Sequence, residues 1–326
     1  MIPILKGEGL SKYFTGRSGL IKRTIVKAVE DVDLTLFPKE IVSVVGESGS
    51  GKTTLGKILA GIYPPDKGRI YFEGKEVTEV YRSGKRKEIA KMVQYVFQDP
   101  FSSLPPHKRV GKVLEDVLRL HGLARDVELK REVKRLLEVV GLTPADEVAS
   151  KLPHELSGGQ RQRASIARAL AVNPKVIIAD EPVSMLDMSI RASVLELMKK
   201  LREEVGISLI YITHDLTTAR IVSDRILVMY RGKVVEVGET ERVIGNPLHP
   251  YTQLLVNSLP EIAKGGTGIE REEGEVLRTD PHTDKFCVFY HRCNFAKDLC
   301  SKAEPVLSQI EQGHSVACFL YSAESK

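Results

Sequence analysis

Gly46-Glu47-Ser48-Gly49-Ser50-Gly51-Lys52-Thr53 is the stretch whose reading decides the fold. It fits the pattern G-x-x-x-x-G-K-[ST], a loop that wraps the phosphates of a nucleoside triphosphate. The flanks agree with that reading. Ile41–Val45 is an apolar run of strand length, and Thr54–Ala60 has the composition of a helix start. Between them, Gly46, Gly49 and Gly51 let the backbone curl so that its N–H groups turn inward toward an anion. The helix N-terminus adds its partial positive charge. Lys52 is then expected to reach the β- and γ-phosphates, and the Thr53 hydroxyl to sit on a Mg²⁺ ion. A functionless Gly/Ser turn would require neither the strand before it nor the helix after it. The stretch predicts an α/β protein that binds a nucleoside triphosphate.

Composition bounds the rest. A chain of 326 residues accommodates one large domain with an appendage, or two domains. Apolar content of 42% and charged content of 28% are those of a globular protein. Lys and Arg number 48 against 43 Asp and Glu, a formal charge of +5, which supports neither nucleic-acid nor membrane binding by itself. No apolar run has the length needed to span a bilayer, and the N-terminus lacks a signal peptide's apolar core. The expectation is a cytosolic chain that meets a membrane only through a partner.

Residues 1–45 are expected to form an antiparallel β layer, with strands over 5–10 and 24–37 about a loop at Gly16–Gly19. Phe14, just ahead of that loop, is either a core or edge-strand aromatic or a platform for a nucleobase. Lys91–Gln98 is a second apolar strand, ending on a glutamine. A Pro/Ser loop over 99–106 precedes a helical region from Val110 to about Val140, where Leu114, Val117, Leu118, Val133, Leu136 and Leu137 recur at helical spacing. Leu156-Ser157-Gly158-Gly159-Gln160 then leads into a helix over 161–171. Ser157 is placed to cap it, and the paired glycines expose backbone N–H groups at a second helix start; the alternative is a flexible turn. Lys175–Glu181 is a buried parallel strand ending in two carboxylates, suited to holding Mg²⁺ (Asp180) and polarising a water (Glu181). Ser189–Val205 is expected to be a helix, and Ile207–Thr213 a further buried strand with His214 at its carboxyl end. Strands over 224–230 and 233–237 follow about a turn at Arg231-Gly232.

Taken together, these pieces resemble the ATP-binding subunit of an ABC transporter over roughly residues 4–240. The motifs stand in that family's order: the phosphate loop, Gln98, the signature Leu156–Gln160, Asp180-Glu181, Ser184-Met-Leu-Asp187 and His214. Val183 and Met185 stand where the family more often has Thr and Ala. A narrower likeness is to the di- and oligopeptide importer branch. It rests on Phe97–Pro106, on Asn246-Pro-Leu-His-Pro-Tyr-Thr252 with Ser258-Leu-Pro260, and on the segment from Cys287 to Cys318. The resemblance implies an ABC-type nucleotide-binding domain over 1–240: a phosphate-loop core with a parallel sheet, an antiparallel β layer and a helical subdomain at about 99–157. A small cysteine-containing extension over 241–326 follows.

By resemblance, two such subunits meet head to tail, each ATP lying between one phosphate loop and the other chain's signature. Phe14 would stack the adenine; Gly46, Glu47, Ser48, Gly49, Ser50, Gly51, Lys52, Thr53 and Thr54 would hold the phosphates. Thr53, Gln98 and Asp180 would surround Mg²⁺, Glu181 would be the general base, and His214 would contact the γ-phosphate. Ser157, Gly158, Gly159, Gln160 and Asp187 would serve the partner's ATP. The implied partners are a second, homologous ABC subunit, two integral membrane permease subunits and an extracytoplasmic solute-binding protein. The implied place is peripheral, on the cytoplasmic face of the cell membrane. Cargo is a di- or oligopeptide, with nickel or an oligosaccharide as alternatives. A soluble ABC ATPase acting on DNA or ribosomes would be expected to carry a second nucleotide domain, a long coiled coil or a basic arm. A redox or sensor protein that happens to bind ATP is the other rival.

All four cysteines, Cys287, Cys293, Cys300 and Cys318, lie near the C-terminus. In a reducing cytosol such clustering favours a metal site over disulfides. The spacing C-x₅-C-x₆-C-x₁₇-C lacks paired C-x₂-C knuckles, and four thiolates suit either zinc or an iron–sulfur cluster. The importer resemblance favours [4Fe–4S]. Gly265–Gly268 and Glu270–Glu275 read as a linker before this segment.

Overall fold

In the computed structural model, residues 1–18, 22–123, 127–259 and 286–321 are described. The strands among them are β1 (Leu5–Ser18), β2 (Lys22–Leu36), β3 (Ile41–Val45), β4 (Lys67–Phe72), β5 (Lys75–Glu76), β6 (Val93–Val96), β7 (Val176–Asp180), β8 (Ser208–Thr213), β9 (Arg225–Tyr230), β10 (Lys233–Glu239), β11 (Ser308–Glu311) and β12 (His314–Val316). They form two sheets. The larger has the order β11-β12-β10-β9-β3-β8-β7-β6, and its β9-β3-β8-β7-β6 portion is parallel. The smaller, β2-β1-β4-β5, is antiparallel.

Every residue of β3, β7 and β8 is buried. A parallel sheet covered on both faces requires this, and it explains why these strands read as unbroken apolar runs rather than alternating ones. One face packs Ile41, Ile177, Leu209 and Tyr211 against Leu114, Leu136 and Ala167 from the helices 110–120, 127–139 and 158–170. The other packs Val44, Ile178 and Ile212 against Leu55 and Leu59 of the helix Lys52–Leu59 and against Leu5, Leu10 and Leu34 of the antiparallel layer.

Four local expectations are corrected. Strand β1 continues through Gly16 to Ser18, paired with β2 to the register Ser18↔Lys22, so the backbone ladder overrides the Gly/Ser turn signal at 16–18. The phosphate-loop helix starts at Lys52, not Thr54. The helical region 110–140 is two helices, Val110–Leu120 and Val127–Val139, the first stopping ahead of Gly122 at φ 67. The helix expected over 189–205 is α-helical over Met188–Lys200 and finishes as a π-helical turn, Leu201–Val205. The linker expected at 265–275 lies outside the described residues.

The C-terminal extension enters the main sheet. β12 runs antiparallel to β10 in the register Glu236↔Val316, Val237↔Ser315, Gly238↔His314. Glu236 is fully buried, which demands donors for its carboxylate. It accepts the N–H groups of Leu248 (2.9 Å) and His249 (2.7 Å) and lies 2.7 Å from Nε2 of His314. A third apolar cluster joins Val45 and Tyr230 of the sheet to Tyr251, Phe289, Cys287 and Cys300 of the extension. Among the described residues no helix is long and apolar enough to cross a membrane.

Candidate active site

The adjacent parallel strands β3, β8, β7 and β6 bring their carboxyl ends to one edge of the sheet. Each delivers a polar group there: the phosphate loop after β3, His214 after β8, Asp180-Glu181 at the end of β7, and Gln98 after β6. Ligand sites of open α/β sheets form outside this edge, where the strands' carboxyl ends meet helix N-termini.

The loop's curl depends on its glycines. At Gly51 (φ 103) a Cβ would come within 2.2 Å of the Ala28 carbonyl oxygen; at Gly46 (φ 157) it would come equally close to that of Met229. Gly49 (φ 79) has nothing within 4 Å of its Cβ position, so its freedom serves backbone shape alone. Lys52 is buried and folds back, its Nζ donating to the carbonyls of Gly46 and Glu47 at 2.7 Å each. Burial lowers its pKa, and the carboxylates of Glu181, Asp180 and Glu47 oppose that shift. Ser48 and Gly49 are exposed at the loop's tip, Ser50 is buried beneath it, and Thr54 sits half-buried in the helix's first turn.

Asp180 is held on both oxygens. Thr53 Oγ1 donates to Oδ1 at 3.1 Å, and the Tyr95 hydroxyl donates to Oδ2 at 2.7 Å. Burial raises the Asp180 pKa, while these two hydrogen bonds pull it down toward the ionised form. Sequence reasoning missed Tyr95. Its role depends on Asp180, 85 residues away in sequence, and the local pattern offers only a strand aromatic whose ring lies 4.9 Å from that of Phe97.

Glu181 adopts φ 44, the left-handed region that is costly for a side-chain-bearing residue. Its N–H donates to the Ile212 carbonyl across to β8, which holds it there. That turn aims the carboxylate between Gln98, whose Nε2 donates to Oε2 at 3.1 Å, and His214, whose Nδ1 is 3.0 Å from Oε1. Gln98 Nε2 also approaches Ser184 Oγ at 3.5 Å. Thr53, Asp180, Glu181, Gln98 and His214 are thus linked by hydrogen bonds in two groups at one sheet edge. Such an array can hold a triphosphate with its cation and present a carboxylate to a water. Phe14 is 36% exposed and meets Tyr63 edge-on, with ring centroids 5.5 Å apart.

The signature strip is a separate place. Ser157 Oγ accepts from the Gln160 N–H at 3.2 Å and Gln160 Oε1 accepts from the Ser157 N–H at 3.1 Å, a reciprocal capping box. Gly159 rests on Ile190 and Gly158 on Leu186, and Asp187 is exposed beside them. Arg161 braces the strip by donating to the carbonyls of Pro153 and Leu156 and stacking on Phe101 at 4.0 Å.

The four cysteines line one small cavity beneath His249 and Phe289. All are free thiols. Burial pushes the Cys287 thiol up to about 11 and raises those of Cys293 and Cys318. Thiolates are metal ligands, and a cation among them would offset the cost of ionising buried thiols. Among the described residues, however, no three His, Cys, Asp or Glu side chains stand at metal-holding distances.

Comparison with known proteins gives the chain a family. Residues 29–184 match the ABC transporter family model, and residues 235–300 match that of the oligopeptide/dipeptide transporter C-terminal region. The oligopeptide transport ATP-binding protein AppF of Bacillus subtilis is 43% identical over 325 residues, covering 98% of each chain. The dipeptide transport ATP-binding protein DppF of Haemophilus influenzae is 39% identical over 97% of this chain and 96% of that protein. Among solved structures, the dimeric ATP-binding cassette MJ0796 in a post-hydrolysis state with ADP and phosphate superposes with a TM-score of 0.64 at 30% identity. It covers 72% of this chain and 98% of that one. CbiO1 of Clostridium perfringens, part of an ABC transporter complex, gives the same TM-score at 28% identity, covering 81% and 98%.

Proposed function

Because this chain belongs to the ABC transporter ATP-binding proteins of the oligopeptide/dipeptide type, we propose that it couples ATP hydrolysis to the uptake of peptides through membrane partners. The observation that carries the reading is the convergence of four strand ends on two hydrogen-bonded groups beside the phosphate loop, Thr53–Asp180 and Gln98–Glu181–His214.

In this reading the loop N–H groups and Lys52 hold the phosphates, and Phe14 stacks the base. Thr53, Asp180 and Gln98 would hold Mg²⁺, which would supply positive charge to offset that of the phosphates. Glu181 accepts a proton from the attacking water, and His214, already paired with Glu181, orients that carboxylate and contacts the γ-phosphate. The Ser157–Gln160 strip and Asp187 face the ATP of a second, homologous subunit. Two permease subunits dock on the region from around Gln98 to about Val140, and a solute-binding protein delivers cargo from outside. The chain then works as a peripheral subunit on the cytoplasmic membrane face, with residues 1–240 as the ATPase domain and 241–326 as its extension. Glu181→Gln tests the chemistry: ATP binding should persist while turnover stops, and unchanged turnover would overturn the assignment of the base. Co-purification with two integral membrane proteins tests the transport role, which a complex with nucleic acid instead would refute.

The second reading concerns the cysteines. We infer that they bind a metal group through four thiolates, with [4Fe–4S] favoured over zinc. Its support is the gathering of all four thiols on one cavity. Iron and sulfide analysis with visible absorbance after anaerobic purification distinguishes the two, and a colourless, metal-free protein would dismiss both.

A further inference from the structure

The cysteine segment touches the nucleotide loop through Arg292, and the contact is specific. Arg292, immediately before Cys293, sends Nη1 to Glu47 Oε2 at 2.8 Å and Nη2 to Glu47 Oε1 at 3.0 Å. This is a two-bond fork on the second residue of the phosphate loop. The fork is built rather than incidental. Nη1 also lies 3.4 Å from the Tyr230 hydroxyl, and the guanidinium stands 5.7 Å from the Tyr230 ring and 5.8 Å from that of Phe289. Those rings pack on each other and on Tyr251, with centroids 4.7 to 5.5 Å apart. Tyr251, also from the extension, accepts the backbone N–H of Glu47 at 2.7 Å. Glu47 is therefore held at its N–H, at its carbonyl by Lys52, and at its carboxylate.

A carboxylate is an awkward group in a loop that receives a polyphosphate. Unpaired, it repels the anion that the glycines and the helix start attract. We propose that Arg292 is a positioning residue for nucleotide binding: it neutralises Glu47 within the phosphate loop and, with Tyr251, makes the C-terminal extension a strut of the ATP site. The pair is partly exposed, with side-chain exposures of 37% and 43%. Its worth to fold stability is accordingly small. Its effect falls on an anion that arrives beside it.

The inference rests on the nucleotide site described above, and titration of the full-length chain with a fluorescent N-methylanthraniloyl ATP analogue tests both. Arg292→Gln should weaken binding about tenfold, a loss that shrinks as salt rises. The double variant Arg292→Gln/Glu47→Gln should recover most of that loss, because no unpaired carboxylate remains. Arg292→Lys, which keeps the charge without the fork, should fall between. Thermal unfolding checks that each variant is folded, and Glu47→Arg/Arg292→Glu replaces Arg292→Gln if that chain does not fold. Unchanged affinity in Arg292→Gln overturns the proposal. A loss that Glu47→Gln fails to repair also overturns it, since the extension would then act only as scaffold. A wild-type chain that fails to bind the analogue overturns the nucleotide site itself.

Discussion

The chain contains two glycine-rich helix starts, and they are built in opposite ways. The helix at Lys52 begins from Gly51 in a left-handed conformation with no side-chain cap. It is held by other strands: β7 through Thr53 and Asp180, and the Ala28 carbonyl packed against Gly51. The helix at Gly158 begins from an extended Ser157 and closes its own N-terminus with the Ser157–Gln160 box. The first is woven into the fold, with the Ala28 carbonyl packed where a Cβ at Gly51 would sit. The second is self-contained, and its exposed Ser157 and Gly158 face outward. The proposed two-chain site would use this division: one half fixed against Asp180 and Glu181, the other capped within itself and offered to a partner.

Experiments can break that contrast, the strongest first. Glu181→Gln should reduce ATP turnover a hundredfold or more, about the worth of a positioned general base, with nucleotide affinity retained in a binding titration. The paired glycine variants come next. Gly51→Ala puts a methyl group 2.2 Å from the Ala28 oxygen at a φ that disfavours it, and should cost the single chain at least about tenfold in ATP affinity. Gly158→Ala meets only Leu186, at 3.4 Å, and should leave single-chain ATP affinity unaltered while lowering turnover of the assembled pair. Equal losses of single-chain affinity would erase the distinction between the two starts. The smallest effect is electrostatic. Tyr95→Phe removes a hydrogen bond that favours ionised Asp180, so the Asp180 pKa rises further. Activity that needs the carboxylate is lost as pH falls through that pKa. The acid limb of the kcat/KM profile should therefore move to higher pH, and an unmoved limb would break the link between Tyr95 and Asp180.

Much of this was legible in the order of residues. The phosphate loop, the acid pair and His214 each terminate an apolar run, and parallel strands buried on both faces leave that trace. The Ser157 cap followed from residue type and spacing. Other features were not legible because they depend on distant partners. Tyr95 reads as one more β-strand aromatic until Asp180 is set beside its hydroxyl. Arg292 reads as a charge near a cysteine until the aromatic cluster brings it to Glu47, far away in sequence. The strand limit at Ser18 was missed because local glycine preference is weaker than a continuous ladder with β2.

The pairing of β12 with β10 has a solubility consequence. Without it, the main sheet would end on β10, a seven-residue strand with unpaired N–H and C=O groups, a template for joining another chain. With it, the sheet ends instead on β11, four residues long, exposed throughout and carrying Glu311. Short, polar, charged margins are how β-sheets avoid sticking to one another. The extension thus leaves the main sheet a short, charged margin in place of a long bare one.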